Sequence, residues 1–208
     1  MTTQIDLTAL PPQERYKLLT AVVIPRPIAW VTTQDRLGRI NAAPFSFFNL
    51  FGQDPALVIL GLEHSRDGSG PKDTARNIAE TGEFVVNIVT PGLIGPMVDS
   101  AAPYPSGVSE TQMLGLELAP SSQVQPPRLA AAPVAIECLL KDTLRYSGER
   151  DIVVGEAMAL SAREGLIDTD RMHVNWDGEL PLARLFADRY ARLEEIERHS
   201  IPQPKERP

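Results

Sequence analysis

The stretch from Pro25 to Asn87 constrains the fold more than any other part of the chain. Pro25 and Pro27 bar helix and force extended backbone ahead of Ile28. Ile28–Thr33 is rich in β-branched and aromatic residues, which predicts a strand. Asp35-Arg36-Leu37-Gly38-Arg39 then reads as a turn, with Ile40–Ala43 opening the return strand. Ala56–Leu62 is almost wholly apolar, the pattern of a strand buried on both faces. His64–Pro71 is a loop by composition and delivers Ser65 and Arg66 towards the helix expected over Lys72–Thr81, which Gly82 closes. Glu83–Thr90 is a further strand.

The start of that helix is the chemically informative point. Lys72-Asp73-Thr74 puts a cation, a hydroxyl and unpaired backbone N–H groups at one helix start. The first N–H groups of a helix have no intrahelical partner and carry partial positive charge, so a phosphate satisfies both conditions there. The same tripeptide also fits the commoner use, in which Asp73 or Thr74 is an N-cap and Lys72 is solvated.

Elsewhere the pattern stays β-rich. Pro11-Pro12 starts a short helix over Gln13–Thr20, after a poorly ordered lead-in. Phe45–Phe51 holds four of the six phenylalanines in seven residues, suiting a core plug or an aromatic wall beside a planar ligand. A short helix is expected around Leu93–Ser100, an irregular excursion over Ala101–Gly107, and a connector over Ser121–Pro133. Val134–Ser147 and Asp151–Arg163 read as two long strands joined by a Gly-containing hairpin loop. Leu182, Leu185, Phe186, Leu193 and Ile196 fall at helical spacing and predict an amphipathic helix over Leu182–Arg198, with Glu194 and Arg198 paired. Ser200–Pro208 reads as a disordered tail. At least six strands and few helices within 208 residues predict an antiparallel β-barrel with peripheral helices. Residues 21–199 would form one domain, preceded by the lead-in and helix of 1–20.

Composition excludes several classes. Net charge is −7, with +1 over residues 1–76 and −8 over 77–208, and no Lys/Arg run supports nucleic-acid or anionic-membrane binding. No apolar run approaches the ~18 residues of a membrane span. Met1–Asp6 lacks the basic and apolar regions of a signal peptide, and one cysteine excludes an intrachain disulfide, so a cytoplasmic protein is expected. Cys138 lies within the strand-like Val134–Leu140 and reads as a buried structural thiol. No P-loop, dinucleotide-binding glycine motif, nucleophile elbow or metal-spaced His/Cys pattern occurs. His173 is the one histidine with an open proton-transfer role, though a lone histidine is more often structural.

Taken in order, Pro25–Thr33, Asn41–Phe47 and Lys72–Ile78 resemble the R-P-I-A-W-V-T-T, N-x-A-P-x-S-x-F and K-D-T-x-x-N-I segments of the flavin-reductase-like family of FMN-binding split barrels. The resemblance continues through Glu83–Asn87, Gly107–Glu110, Gly115-Leu116 and Glu137-Cys138, covering roughly residues 20 to 190. It implies a split barrel holding FMN noncovalently, in a homodimer, with the Ala101–Gly107 excursion near the substrate face and dimer contact. By carry-over, Trp30, Val31, Thr32 and Thr33 would line the isoalloxazine. Asn41, Ala43, Pro44, Ser46 and Phe47 would hold ring and ribityl, and Ser65, Lys72 and Thr74 the phosphate. Arg184–Tyr190 keeps the Arg and Tyr of the relatives' R-L-G-G-x-x-Y pattern but replaces both glycines, with Arg184 a cofactor contact. The implied reaction is hydride transfer from NADH or NADPH to flavin, and the reduced flavin could then serve a separate monooxygenase. A flavoredoxin-like electron carrier reduced by a protein partner and a non-catalytic flavin-binding protein are the alternatives.

Overall fold

The computed structural model describes residues 1–65 and 67–202. Arg66 and the last six residues of the expected tail lie outside the described residues. A short 3-10 turn, Leu7–Ala9, precedes helix α1 (Pro12–Val22). Then follow β1 (Ala29–Gln34), β2 (Ile40–Phe45), β3 (Phe48–Gln53), β4 (Ala56–Glu63), α2 (Asp73–Thr81) and β5 (Glu83–Ile88). The second half runs α3 (Ile94–Asp99), α4 (Glu110–Met113), β6 (Leu118–Ala119), β7 (Arg128–Leu129), β8 (Val134–Leu144) and β9 (Arg150–Ala162). It ends with β10 (Ile167–Asp168), β11 (His173–Val174), β12 (Ala183–Arg184) and β13 (Tyr190–Ala191).

Seven strands form one antiparallel sheet in the order β2-β1-β5-β8-β9-β4-β3. Its two edges, β2 and β3, are consecutive in the chain and joined by Ser46 and Phe47 alone. A flat sheet would hold those edges about 29 Å apart, six spacings of about 4.8 Å. Three Cα–Cα steps reach only about 11 Å. The sheet therefore curls until its edges meet, and Gly61 N donates to Phe47 O at 2.7 Å across the seam. The strand pattern led us to expect an antiparallel barrel, and the resemblance its split form.

Strand alternation sorts β1 between two cores. Ala29 and Val31 point into the barrel with Val58, Leu60, Phe84, Val86 and Cys138, where Ala75 and Ile78 of α2 join them. Ile28 and Trp30 point outward into a second cluster with Ala42, Met97, Leu129 and Leu182. Packing inside the barrel is tight at Gly155, where an added Cβ would come within 2.8 Å of Cε1 of the fully buried Phe84. Gly155→Ala is expected to cost about 1–3 kcal/mol through overpacking, read as a lower urea midpoint. An unchanged midpoint would mean that Phe84 can move.

Burial, with Glu137 beside it, pushes the Cys138 thiol up to about 12, as suits a structural cysteine. The aromatic segment is divided three ways. Phe48 enters the barrel core, Phe47 stacks beside Tyr16 and beneath Arg150 at the seam, and Phe51 is exposed.

The helix expected over Leu182–Arg198 is absent. Its first half forms the β12–β13 hairpin, and the described residues from 192 onward have no regular structure. The backbone groups that an α-helix would pair internally are used between segments. Leu182 N donates to Val89 O at 2.7 Å, while Arg26 and Arg184 exchange N–H···O bonds at 2.9 Å each. Leu193 is 41% and Ile196 92% exposed, so their helical spacing marks no buried stripe. Arg198 pairs with Glu195 at 2.8 Å rather than with Glu194.

Candidate functional site at the start of helix α2

Helix α2 stops where Gly82 takes a left-handed conformation (φ 74°) and its N–H returns to Ile78 O. Its other end is open. Lys72 is the N-cap residue, and no side chain caps the helix. Both residues expected as alternative caps are engaged elsewhere. Asp73 turns to the 106–107 loop, where its carboxylate accepts from Ser106 Oγ (2.9 Å), Gly107 N (2.9 Å) and the Arg76 guanidinium. Thr74 is buried with its hydroxyl against the Asn41 amide at 2.8 Å. The cap alternative thus fails in the form the sequence allowed, and the first N–H groups of α2 carry the helix's positive end without a side-chain acceptor.

The loop before α2 is folded back on itself. His64 bridges Pro71, and Ser65 N donates to Gly70 O at 2.8 Å. Ser65, half-buried, and Lys72 thus flank one closed loop. Lys72 Nζ lies 3.6 Å from Glu63 Oε2, both half-exposed, a loose pair that an anion can displace.

Beneath α2 lies the barrel end. Asn77 donates to Thr33 Oγ1 at 3.0 Å, beside the Asn41–Thr74 contact. Thr33 and Asn41 are cross-strand neighbours, as are Val31 and Ala43. Trp30 and Thr32 face the opposite side. The Trp30 indole donates to Ser100 Oγ at 2.9 Å, and Thr32 donates to Pro127 O at 2.7 Å while accepting from Asn87 at 3.1 Å. Trp30, Val31, Thr32 and Thr33 are all at most 2% exposed. Their side chains form a frame rather than an open wall. Ala43, Pro44, Ser46 and Phe47 retain accessible surface at the end of β2 and the seam.

Ser46 leads to a positively charged corner. Its Oγ accepts from Arg26 Nε at 3.5 Å. Arg26 is buried and donates to three carbonyls, Thr20 O (2.6 Å), Val23 O (2.9 Å) and Leu185 O (2.6 Å). Burial chiefly lowers its hold on the proton, with Tyr16 opposing and the neighbouring Arg184 adding to the effect. Arg184 bonds Tyr190 OH and Ala187 O and lies 4.6 Å over the Tyr190 ring. The positive φ of Ala187 (54°) makes the turn at a position where the resembled pattern carries glycine.

His173 is exposed on the β10–β11 hairpin, opposite Asp168, and is not brought to this region. Beside α2 a cleft of about 200 Å³ is lined by Arg36, Arg39, Asn41, Asp73, Arg76 and Ser109, among others. Its arginines are taken up by Asp35, Asp73 and Glu80, so it is a charge network. Among the described residues no group of three or more His, Cys, Asp or Glu is placed to hold a metal, and no helix could cross a membrane. Sequence reasoning assigned no role to Arg26, Asn77 or Glu110. All three stood inside quoted motifs, and that was the available signal.

Comparison with known proteins agrees with this architecture. The family model for the flavin reductase like domain matches residues 21–193. An uncharacterized protein of Deinococcus radiodurans is 46% identical over 179 residues, 83% of this chain and 78% of that one. The crystal structure of 2-nitrobenzoate 2-nitroreductase NbaA from Pseudomonas fluorescens is 37% identical, covers 96% of both chains and superposes with a TM-score of 0.87. That of nitrilotriacetate monooxygenase component B from Bacillus cereus is 29% identical, covers 96% of this chain and 99% of that one, and has a TM-score of 0.88.

Proposed function

The chain belongs to the flavin reductase like family, and from that premise we propose that it binds FMN noncovalently and uses it to accept a hydride from NADH or NADPH. The observation that carries this reading is the open start of α2, where both candidate caps are turned away and a weakly paired lysine stands at the N-cap. Such a start suits a phosphate dianion, which FMN has and riboflavin lacks. Ser65, Lys72 and Thr74 would hold that phosphate. Ala43, Pro44, Ser46 and Phe47 would meet ribityl and ring. Trp30, Val31, Thr32, Thr33 and Asn41 would keep this surface rigid from beneath.

When bound, the flavin supplies the two-electron acceptance, and the protein's part is orientation and charge. Arg26 and Arg184 place positive charge beside Ser46, which favours an anionic reduced ring if the ring lies towards that corner. We assign no step to His173. A cytoplasmic homodimer fits the exposed apolar residues Leu50, Phe51, Phe186 and Leu193.

The similarity to component B of a monooxygenase supports release of reduced flavin to a second enzyme. The 37% identity to a nitroreductase supports a second reading, in which FMN stays bound and passes electrons to a small organic acceptor. Stopped-flow mixing of the FMN-loaded protein with NADH and with NADPH tests the proposal. Rapid bleaching with multiple turnovers on added flavin is the expected result. Turnover only with a nitroaromatic acceptor would favour the second reading, and no bleaching by either nucleotide would exclude both.

A further inference from the structure

The mechanism above leaves a buried carboxylate without a use. Glu110, on α4, is 8% exposed and accepts from Ala42 N at 3.0 Å through Oε2. No cation compensates it among the described residues. Arg39, next to β2, is bonded to Asp35; on α2, Arg76 is bonded to Asp73, and Lys72 faces Glu63. The remaining neighbour is the Asn41 amide, which lies between Glu110 and Thr74 and is itself buried.

That amide has two ways to lie, and each suits one protonation state of Glu110. With its nitrogen towards Glu110 it donates to Oε1 and Oε2 at 3.2 and 3.3 Å, and its oxygen accepts from Thr74 Oγ1 at 2.8 Å. A carboxylate, which can only accept, requires this orientation. It also spends the single Thr74 hydroxyl hydrogen on Asn41. With the amide reversed, Nδ2 donates to Thr74 Oγ1 at 2.8 Å. Its oxygen then faces Glu110, which is satisfied only if Glu110 carries a proton to donate. In that state the Thr74 hydrogen is released.

We propose that Glu110 and Asn41 form a proton-linked pair that decides whether Thr74 offers the flavin phosphate a hydrogen or a lone pair, so that FMN binding takes up a proton at Glu110. This rests on the α2 start being the phosphate seat. A phosphate dianion there favours the protonated arrangement twice, by requiring a donor from Thr74 and by opposing a second buried anion. Burial already raises the affinity of Glu110 for its proton, against the opposing N–H groups of Ala42 and Glu110. Glu110 is thus a positioning residue, acting through Asn41 on Thr74. Because the bound state holds the extra proton, affinity falls as pH rises.

Calorimetric titration of FMN and of riboflavin between pH 7.5 and 8.5, in two buffers of different ionisation enthalpy, measures the proton directly. FMN itself is a dianion throughout that range, its second phosphate pKa being about 6. The expected result is uptake of up to one proton and a Kd for FMN that rises by as much as tenfold per pH unit, with neither for riboflavin. Glu110→Gln, whose amide donates to Asn41 at any pH, should abolish both the uptake and the slope, and Thr74→Val, which leaves only the repulsion between the two anions, should diminish both. Preference for FMN over riboflavin without proton uptake, or an unchanged slope in Glu110→Gln, would overturn the inference and leave the phosphate seat standing. Equal affinity for the two flavins would remove the seat and the inference together. Should the variants fail to fold, the uptake by the unaltered protein decides.

Discussion

Lys72→Met is expected to weaken FMN binding roughly ten- to a hundredfold while leaving riboflavin binding unchanged. Methionine keeps most of the stem volume and removes the charge. One charge-assisted hydrogen bond to a phosphate is worth on the order of 1.5–3 kcal/mol, which sets that range. The fold should not suffer, because Lys72 makes only a 3.6 Å pair with Glu63 and both side chains are half-exposed. Titrating both flavins into the variant separates a phosphate contact from a general loss of structure. A loss shared equally by the two flavins, or no loss at all, would retire Lys72 as a phosphate ligand.

The second large effect concerns stability. Arg26→Met is expected to destabilise the protein by about 3 kcal/mol, since three carbonyls lose a charged donor and unpaired buried acceptors cost about 1–3 kcal/mol each. The lower part of the summed range applies, because Val23 lies at the exposed end of α1 and water can reach its carbonyl. The guanidinium joins the C-terminal end of α1, the close of β2 and the β12–β13 hairpin. Its removal should therefore also loosen residues 182–191. Urea unfolding measures the first effect and amide exchange of the hairpin the second. A change below about 1 kcal/mol with the hairpin still protected would show that Arg26 is dispensable.

What could be read from the residues was what depends on short-range pattern. Pro25 and Pro27, the β-branched run after them and Gly82 mark β1 and the end of α2 by local sterics, and the structure has them there. The open helix start was readable as a possibility but not as a fact. Whether Asp73 caps α2 depends on Gly107, thirty-four residues away, which takes its carboxylate. Leu182–Arg198 misled for the same reason. Helical spacing reports an apolar stripe only if something receives it, and Arg26 and Val89 instead draw the backbone into strand-like pairs. The packing role of Trp30 outside the barrel was likewise hidden, because an aromatic residue beside a ligand motif reads the same whether it faces Ser100 or a flavin.

The two-residue link between the sheet edges also bears on the order in which the molecule is assembled. Three hairpins, β1–β2, β3–β4 and β8–β9, join residues close in sequence, whereas β4–β9 joins Leu57 to Glu156. Closing a loop of that length costs about 4 kcal/mol before any pair is formed. If β1, β5, β8 and β9 are already in register, the Ser46–Phe47 tether delivers β4 to its place and most of that cost has been met. Zipping of β4 onto β9 is then the late, all-or-none step. Asn41–Ser46 belongs to β2 and its end, while Ser65 and Lys72 follow β4, so the two parts of the proposed site come together only in a finished barrel. Possession of the cofactor would in that case certify that folding is complete.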